Sequence, residues 1–136
     1  MITDAQVHIW NGNTPEDPWD PKAQTHLPDP MPAERMIGLM DEAGIDRAVI
    51  SPAGVAPDRS PACAQAAAAR YPERFRVMGW FIPKLPEQRK LLPRWLEQPG
   101  MCSLRLSVNE PEHQKLLADG AFVPLWEASM DEDMAV

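Results

Sequence analysis

The chain has 136 residues, of which 44% are hydrophobic and 24% are charged, and its formal net charge is -7. These values are typical of one globular domain that is large enough to bury a core. The negative charge and the lack of a Lys/Arg cluster argue against nucleic acid as a partner, and no apolar run approaches the roughly 20 residues of a membrane span.

Segments typical of strands and helices alternate along the chain. Residues 2–10 alternate with a period of two, which predicts a strand. Residues 33–43 carry apolar side chains at helical spacing and precede Gly44, which predicts a helix with a glycine C-cap. Further strands are predicted at 47–51, 75–81 and 101–108, and further helices at 62–70, 87–98 with a kink at Pro93, and 122–130. Residues 109–120 are predicted to form a polar loop.

Residues 11–32 form a long predicted connection that contains six of the sixteen prolines. A connection of this length is typical either of a functional lid or of a surface arm without a role, and the sequence leaves both open. Trp19 and His26 lie within it. At the other end of the chain, residues 134–136 are apolar and predict the first residues of a further strand.

The order of the elements indicates a parallel sheet covered by helices. Such a unit is either a small open sheet or half of an eight-stranded barrel. An open dinucleotide-binding sheet has a Gly-rich turn after its first strand, and residues 10–15 (Trp-Asn-Gly-Asn-Thr-Pro) do not form one. We therefore predict an α/β fold, a partial (β/α)8 TIM barrel of about four βα units with parallel strands, over residues 1–136.

Four stretches in the right order resemble the amidohydrolase-related TIM-barrel family, and within it the lactonase-like branch. Residues 4–10 (Asp-Ala-Gln-Val-His-Ile-Trp) are similar to that family's opening strand, which carries a His-x-His pair. Residues 40–49, 71–75 and 99–106 resemble later landmarks. The resemblance implies the N-terminal half of such a barrel, and a hydrolase that acts on a lactone, amide or similar carbonyl. Because the family takes further site residues from later strands, it also implies a truncated chain that is inactive by itself.

Gln6 and His8 stand two residues apart on one strand, so we expect their side chains to project together. The resemblance places this pair at the barrel mouth as metal ligands, with His8 also catalytic. It implies a divalent metal such as zinc, bound weakly because the amide of Gln6 is a poor zinc ligand. Alternatively, His8 is a hydrogen-bonded interior histidine without a ligand. Asp4 either orients this pair or satisfies a backbone group.

Three further residues are candidates for substrate binding. Arg105 lies in an apolar strand, where a guanidinium needs either an anionic ligand or a protein carboxylate. Ser51 ends the second strand, where the site residues of barrels collect. Trp10 either forms an apolar wall of the site or packs under the long loop.

The expected partner is thus a small carbonyl or carboxylate substrate, with neither nucleic acid nor membrane involved. A competing hypothesis is a non-catalytic half-barrel whose open sheet edges associate with another copy, giving a homo-oligomer, or with another chain. A third is a complete small open α/β binding domain. Residues 1–4 show no signal-peptide pattern, and Cys63 and Cys102 lack paired spacing, so we expect a cytoplasmic protein.

Overall fold

The computed structural model describes residues 1–23, 30–56, 60–82, 86–131 and 133–136. Four strands alternate with helices along these ranges. The strands are β1 (Thr3–Val7), β2 (Arg47–Ile50), β3 (Phe75–Trp80) and β4 (Met101–Arg105). The helices are α1 (Ala33–Ala43), α2 (Ser60–Arg70), α3 (Pro86–Leu91), α4 (Pro111–Ala118) and α5 (Val123–Asp131), and a 3₁₀ helix (Leu92–Glu97) follows α3. No helix in the described ranges is long and apolar enough to cross a bilayer.

The four strands form one sheet in the order β1-β2-β3-β4, and each neighbouring pair is parallel. This is the predicted α/β architecture, with consecutive parallel strands and connecting helices, and it is consistent with half of a TIM barrel. Because all the strands run the same way, their carboxyl ends meet at one edge of the sheet. Residues that end the strands are thereby brought close together in space.

Helices α1 and α2 cover one face of the sheet. Ile50 and Val77 are fully buried there, in one cluster with Met40 of α1 and with Ala64 of α2. The small side chains of α2 allow its backbone to approach the sheet closely. Gly44 ends α1 with φ of 70°, a left-handed conformation that glycine adopts without a steric cost, so the predicted cap is confirmed.

Two elements differ from the sequence prediction. β1 pairs Asp4 with Ala48 but Val7 with Ile50, so that three steps along β1 match two steps along β2. The strict alternation predicted for residues 2–10 is therefore interrupted. Residues 109–120 were expected to be a loop, whereas α4 occupies most of this segment, with Pro111 in its first turn. Proline is favoured at that position because its missing N–H has no partner in the first turn of a helix.

The described part of the long connection packs against the end of the sheet. The backbone of Trp10 pairs with that of Met31, and both side chains are buried in a cluster with Val55, against which Trp19 packs. This segment is thus tied to the domain at both ends. His26, together with residues 24–29, lies outside the described residues.

Candidate functional site

The candidate site is built at the carboxyl ends of the four parallel strands. His8 follows β1, Ser51 follows β2, Trp80 ends β3 and Arg105 ends β4. Each of these side chains is held in position by a strand whose other face packs against helices. The edge of a parallel sheet formed by these ends is where barrel enzymes place their site residues.

Gln6 and His8 lie together, as expected. The side-chain Nε2 of Gln6 is 3.3 Å from Nε2 of His8, and Nδ1 of His8 is 2.8 Å from the backbone oxygen of Ser51. A carbonyl oxygen only accepts hydrogen bonds, so Nδ1 must donate and therefore carries a proton. In the neutral ring this leaves a lone pair on Nε2, which accepts from the Gln6 amide. The imidazole is thus held in one tautomer with its acceptor nitrogen beside Gln6.

Ser51 connects the histidine to the arginine. While its carbonyl oxygen accepts from His8, its hydroxyl oxygen accepts from Nη1 of Arg105 at 2.9 Å. Ser51 is completely buried, and the rigid residue Pro52 follows it. Ser51 therefore fixes the side chains of both His8 and Arg105, which lie 43 and 54 residues from it in the sequence.

No carboxylate of the described residues balances the charge of Arg105. Among the described residues, no carboxylate lies within 4.0 Å of its guanidinium, whose hydrogen-bond partner is the neutral hydroxyl of Ser51. The side chain is only partly exposed. A partly buried guanidinium retains donors for an anion, so the alternative of a structural ion pair finds no support in the part of the chain that is described.

A cleft of about 340 Å³ opens beside Arg105. The described residues that line it come from the end of β3, the end of β4 and helix α4, and they are Trp80, Phe81, Ile82, Arg105, Ser107 and His113. A volume of this size suits a small ligand. The walls formed by the described residues are mostly apolar, and the Arg105 guanidinium is a cationic group among them.

His113 is a residue of this cleft that the sequence analysis assigned to a loop. It lies in α4, and its Nδ1 is buried with no hydrogen-bond partner among the described residues. A buried polar atom without a partner is uncommon in folded proteins. The signal that could have located it was the proline at 111, which marks a helix start and would have placed His113 on the first turn.

Trp10 and Asp4 are placed away from this cleft. Trp10 is buried with Met31 and Val55 beneath the long connection, which is the packing alternative given for it. Trp80 instead supplies the large aromatic side chain of the cleft. The Asp4 carboxylate accepts a hydrogen bond from the backbone N–H of Gln6 at 3.0 Å, which is the second of the two roles considered for it.

The described residues do not form a zinc site. The donors near Nε2 of His8 are one imidazole and one amide, and the described ranges contain no group of three His, Cys, Asp or Glu side chains that could hold a metal ion. Zinc sites in proteins use three or four strong ligands. The divalent metal that the family resemblance implied therefore stays a prediction, and no step proposed for this chain depends on it.

The fold is similar to that of two solved structures. One is a probable 2-pyrone-4,6-dicarboxylic acid hydrolase from Acinetobacter baumannii with citric acid bound, with a TM-score of 0.60 and 17% identity over 90% of this chain and 46% of that one. The other is an apo protein from Agrobacterium tumefaciens, with a TM-score of 0.51 and 19% identity over 87% and 44%. The chain thus spans about half the length of each. No protein-family model and no curated protein matches the sequence.

Proposed function

We propose that the chain supplies the carboxylate-binding part of a hydrolase that acts on a carbonyl compound bearing a carboxylate. The observation that carries this proposal is the partly buried guanidinium of Arg105, which has no described carboxylate partner and faces a cleft of about 340 Å³. A charge in this position is stabilised best by an anion that accepts two parallel hydrogen bonds.

The imidazole of His8 would act on the reacting group. Its Nδ1 proton is engaged by Ser51, so Nε2 is the nitrogen that can accept a proton from a water molecule once that water displaces the Gln6 amide, which donates to Nε2 at 3.3 Å. A general base must be oriented by a second group, and the buried Ser51 carbonyl fulfils that role here. Anchoring at Arg105 would hold the substrate while Nε2 directs the water towards its carbonyl carbon.

The proposed substrate class agrees with the name of one structural neighbour. The Acinetobacter neighbour is named for the hydrolysis of a dicarboxylic acid and was solved with citric acid bound. Both compounds carry carboxylates. At 17% identity the likeness shows the fold alone, so the substrate of this chain is argued from Arg105 and its cleft.

Citrate binding tests the proposal directly. Titration of the 136-residue chain with citrate, followed by calorimetry and by the Trp80 indole resonance, should show saturable binding. Arg105→Gln should weaken that binding by about 10- to 150-fold, because a hydrogen bond to a charged group contributes roughly 1.5–3 kcal/mol.

Arg76→Gln is the matched control for this experiment. Arg76 lies near the start of β3, where its guanidinium donates to the backbone oxygens of Pro72 and Phe75, and it takes no part in the cleft. Its substitution should leave citrate affinity unchanged. Equal losses in the two variants would show that net charge alone attracts citrate, and the proposed anchoring by Arg105 would be abandoned.

A further inference from the structure

His113 lines the cleft beside Arg105, and one of its two ring nitrogens is buried there. The buried atom is Nδ1, which has no hydrogen-bond partner among the described residues. The residue as a whole is only half-buried, and its other nitrogen, Nε2, stays accessible. Because the described residues already cover Nδ1, a further segment of the polypeptide could not reach it. The surroundings of this nitrogen are therefore fixed within the described structure.

The buried Nδ1 decides which tautomer the neutral ring adopts. A neutral imidazole has one N–H donor and one acceptor nitrogen. A buried N–H without a partner is rarer in folded proteins than a buried acceptor that lacks one, so the proton of His113 belongs on the accessible Nε2. This is the opposite of His8, in which Nδ1 carries the proton and donates to Ser51. His8 therefore offers an acceptor at Nε2, whereas His113 offers a donor.

Arg105 supplies further donors to the same cleft. Its Nη1 donates to the Ser51 hydroxyl, and a guanidinium has five N–H groups in all. The hydroxyl of Ser107, which also lines the cleft, already donates to the side-chain oxygen of Asn109. Among the described lining residues, Arg105 and His113 are thus the side chains whose N–H groups remain available to a ligand.

We propose that the Nε2–H of His113 donates to the carboxylate that Arg105 anchors, which makes His113 a second substrate-binding residue. This inference rests on the function proposed above. A carboxylate accepts at two oxygens with about four lone-pair sites, so it can accept from a guanidinium and from an imidazole N–H together. His113 lies in the first turn of α4, where the partial positive charge of a helix N-terminus also favours an anion.

Nitrogen NMR of the 136-residue chain tests the tautomer without a ligand. At about pH 8, where free imidazole is neutral, a long-range ¹H–¹⁵N spectrum distinguishes protonated from unprotonated ring nitrogens. We expect His113 to carry its proton on Nε2 and His8 to carry its proton on Nδ1. Citrate should then shift the His113 Nε2 resonance saturably, with the same Kd as the Trp80 indole resonance. A proton on Nδ1 of His113 would overturn the proposal.

Three substitutions of His113 measure the contribution of its N–H to citrate binding. His113→Phe keeps a planar ring but has no N–H, and it should weaken binding about tenfold. His113→Gln carries an amide N–H that reaches about as far as Nε2, so its affinity should stay within about threefold of the original. The amide of His113→Asn reaches only as far as Nδ1, so this variant should lose as much affinity as His113→Phe.

Gln114→Phe is the matched control for these variants. Gln114 is the next residue of α4, is exposed and is not one of the described residues that line the cleft. Its substitution should leave citrate affinity unchanged, whereas a loss equal to that of His113→Phe would show that any change in α4 weakens binding and would refute the proposal. If His113→Phe does not fold, the comparison of His113→Gln with His113→Asn decides the question.

The outcomes separate this inference from the function on which it rests. Citrate binding that is lost in Arg105→Gln but retained in His113→Phe would refute the role of His113 and leave the anchoring by Arg105 intact. Equal losses in His113→Gln and His113→Asn would show that the ring only packs in the cleft wall, which also refutes the proposal. If the unsubstituted chain shows no saturable citrate binding, both the inference and the proposed function are wrong.

Discussion

Ser51→Ala separates the hydrogen bond of the Ser51 hydroxyl from those of its backbone. The substitution removes the hydroxyl that accepts from Arg105, but it keeps the carbonyl that accepts from His8. The lost bond involves a charged donor, for which the net contribution is about 1.5–3 kcal/mol. Because Arg105 is partly exposed and water can replace part of the bond, we expect the lower end of this range, about 1.5 kcal/mol.

Urea unfolding followed by tryptophan fluorescence measures this loss. With a slope of about 2 kcal/mol per molar urea, a loss of about 1.5 kcal/mol lowers the unfolding midpoint by roughly 0.7 M. Ser129→Ala is the control, since Ser129 is also buried and its hydroxyl donates to the neutral Trp126 carbonyl at 2.9 Å. A neutral bond of this kind contributes about 0.5–1.5 kcal/mol.

A double-mutant cycle with Arg105→Met isolates the pair. If Ser51 and Arg105 interact as described, the sum of the two single losses in unfolding free energy should exceed the loss in the double variant by about 1 kcal/mol. Throughout the cycle, the ¹⁵N resonances of His8 should keep the Nδ1-protonated pattern, because the Ser51 carbonyl is retained. Additive losses within about 0.4 kcal/mol, or a change of the His8 tautomer, would refute the role assigned to Ser51.

Two further predictions concern stability and pH. Gly100→Ala should destabilise the chain by at least about 2 kcal/mol, because φ is +76° and the new Cβ would lie 2.5 Å from the Ala68 Cβ. Gly38→Ala, on the open face of α1, should instead stabilise the chain by about 0.5–1 kcal/mol. Thermal melts of the two variants distinguish these outcomes. Hydrogen bonds from its own backbone and then from the Tyr71 hydroxyl lower the pKa of Glu34 in the folded chain. This carboxylate therefore stabilises the fold at pH values above the pKa of an unperturbed glutamate, and the contribution is lost as the pH falls through the lowered pKa. Tyr71→Phe should raise the Glu34 pKa towards that of an unperturbed glutamate in an NMR titration, and an unchanged value would contradict this cause.

Local rules of sequence sufficed wherever neighbouring residues decide the structure. The limits of α1, its cap at Gly44 and the proline-marked break after α3 follow from periodicity, backbone freedom and the missing N–H of Pro93. The parallel sheet also followed, because alternating strand and helix patterns allow few other arrangements. α4 was not predicted because residues 111–118 do not carry apolar side chains at helical spacing. Pro111 was the one sequence signal for the start of this helix.

The candidate site needed contacts between distant residues. Gln6 beside His8 was predictable from their spacing on one strand, and the family resemblance placed the pair at the mouth of the barrel. That Ser51 joins His8 to Arg105 was not predictable, since these contacts span 43 and 54 residues. The alternatives for Trp10 and Asp4 were likewise separated only by their neighbours in space, Met31 and the Gln6 N–H.

The sequence by itself thus determined the succession of elements, because hydrophobic period and turn chemistry act over a few residues. The tertiary structure decided which polar groups share one edge of the sheet, which tautomer His8 adopts and that Arg105 has no described carboxylate partner. It also decided that Ala135 forms a parallel bridge with Ser103, where a further strand was predicted to begin, and that Nδ1 of His113 is buried without a described partner. These properties depend on strand register and on desolvation, and both arise only when segments far apart in the chain pack together.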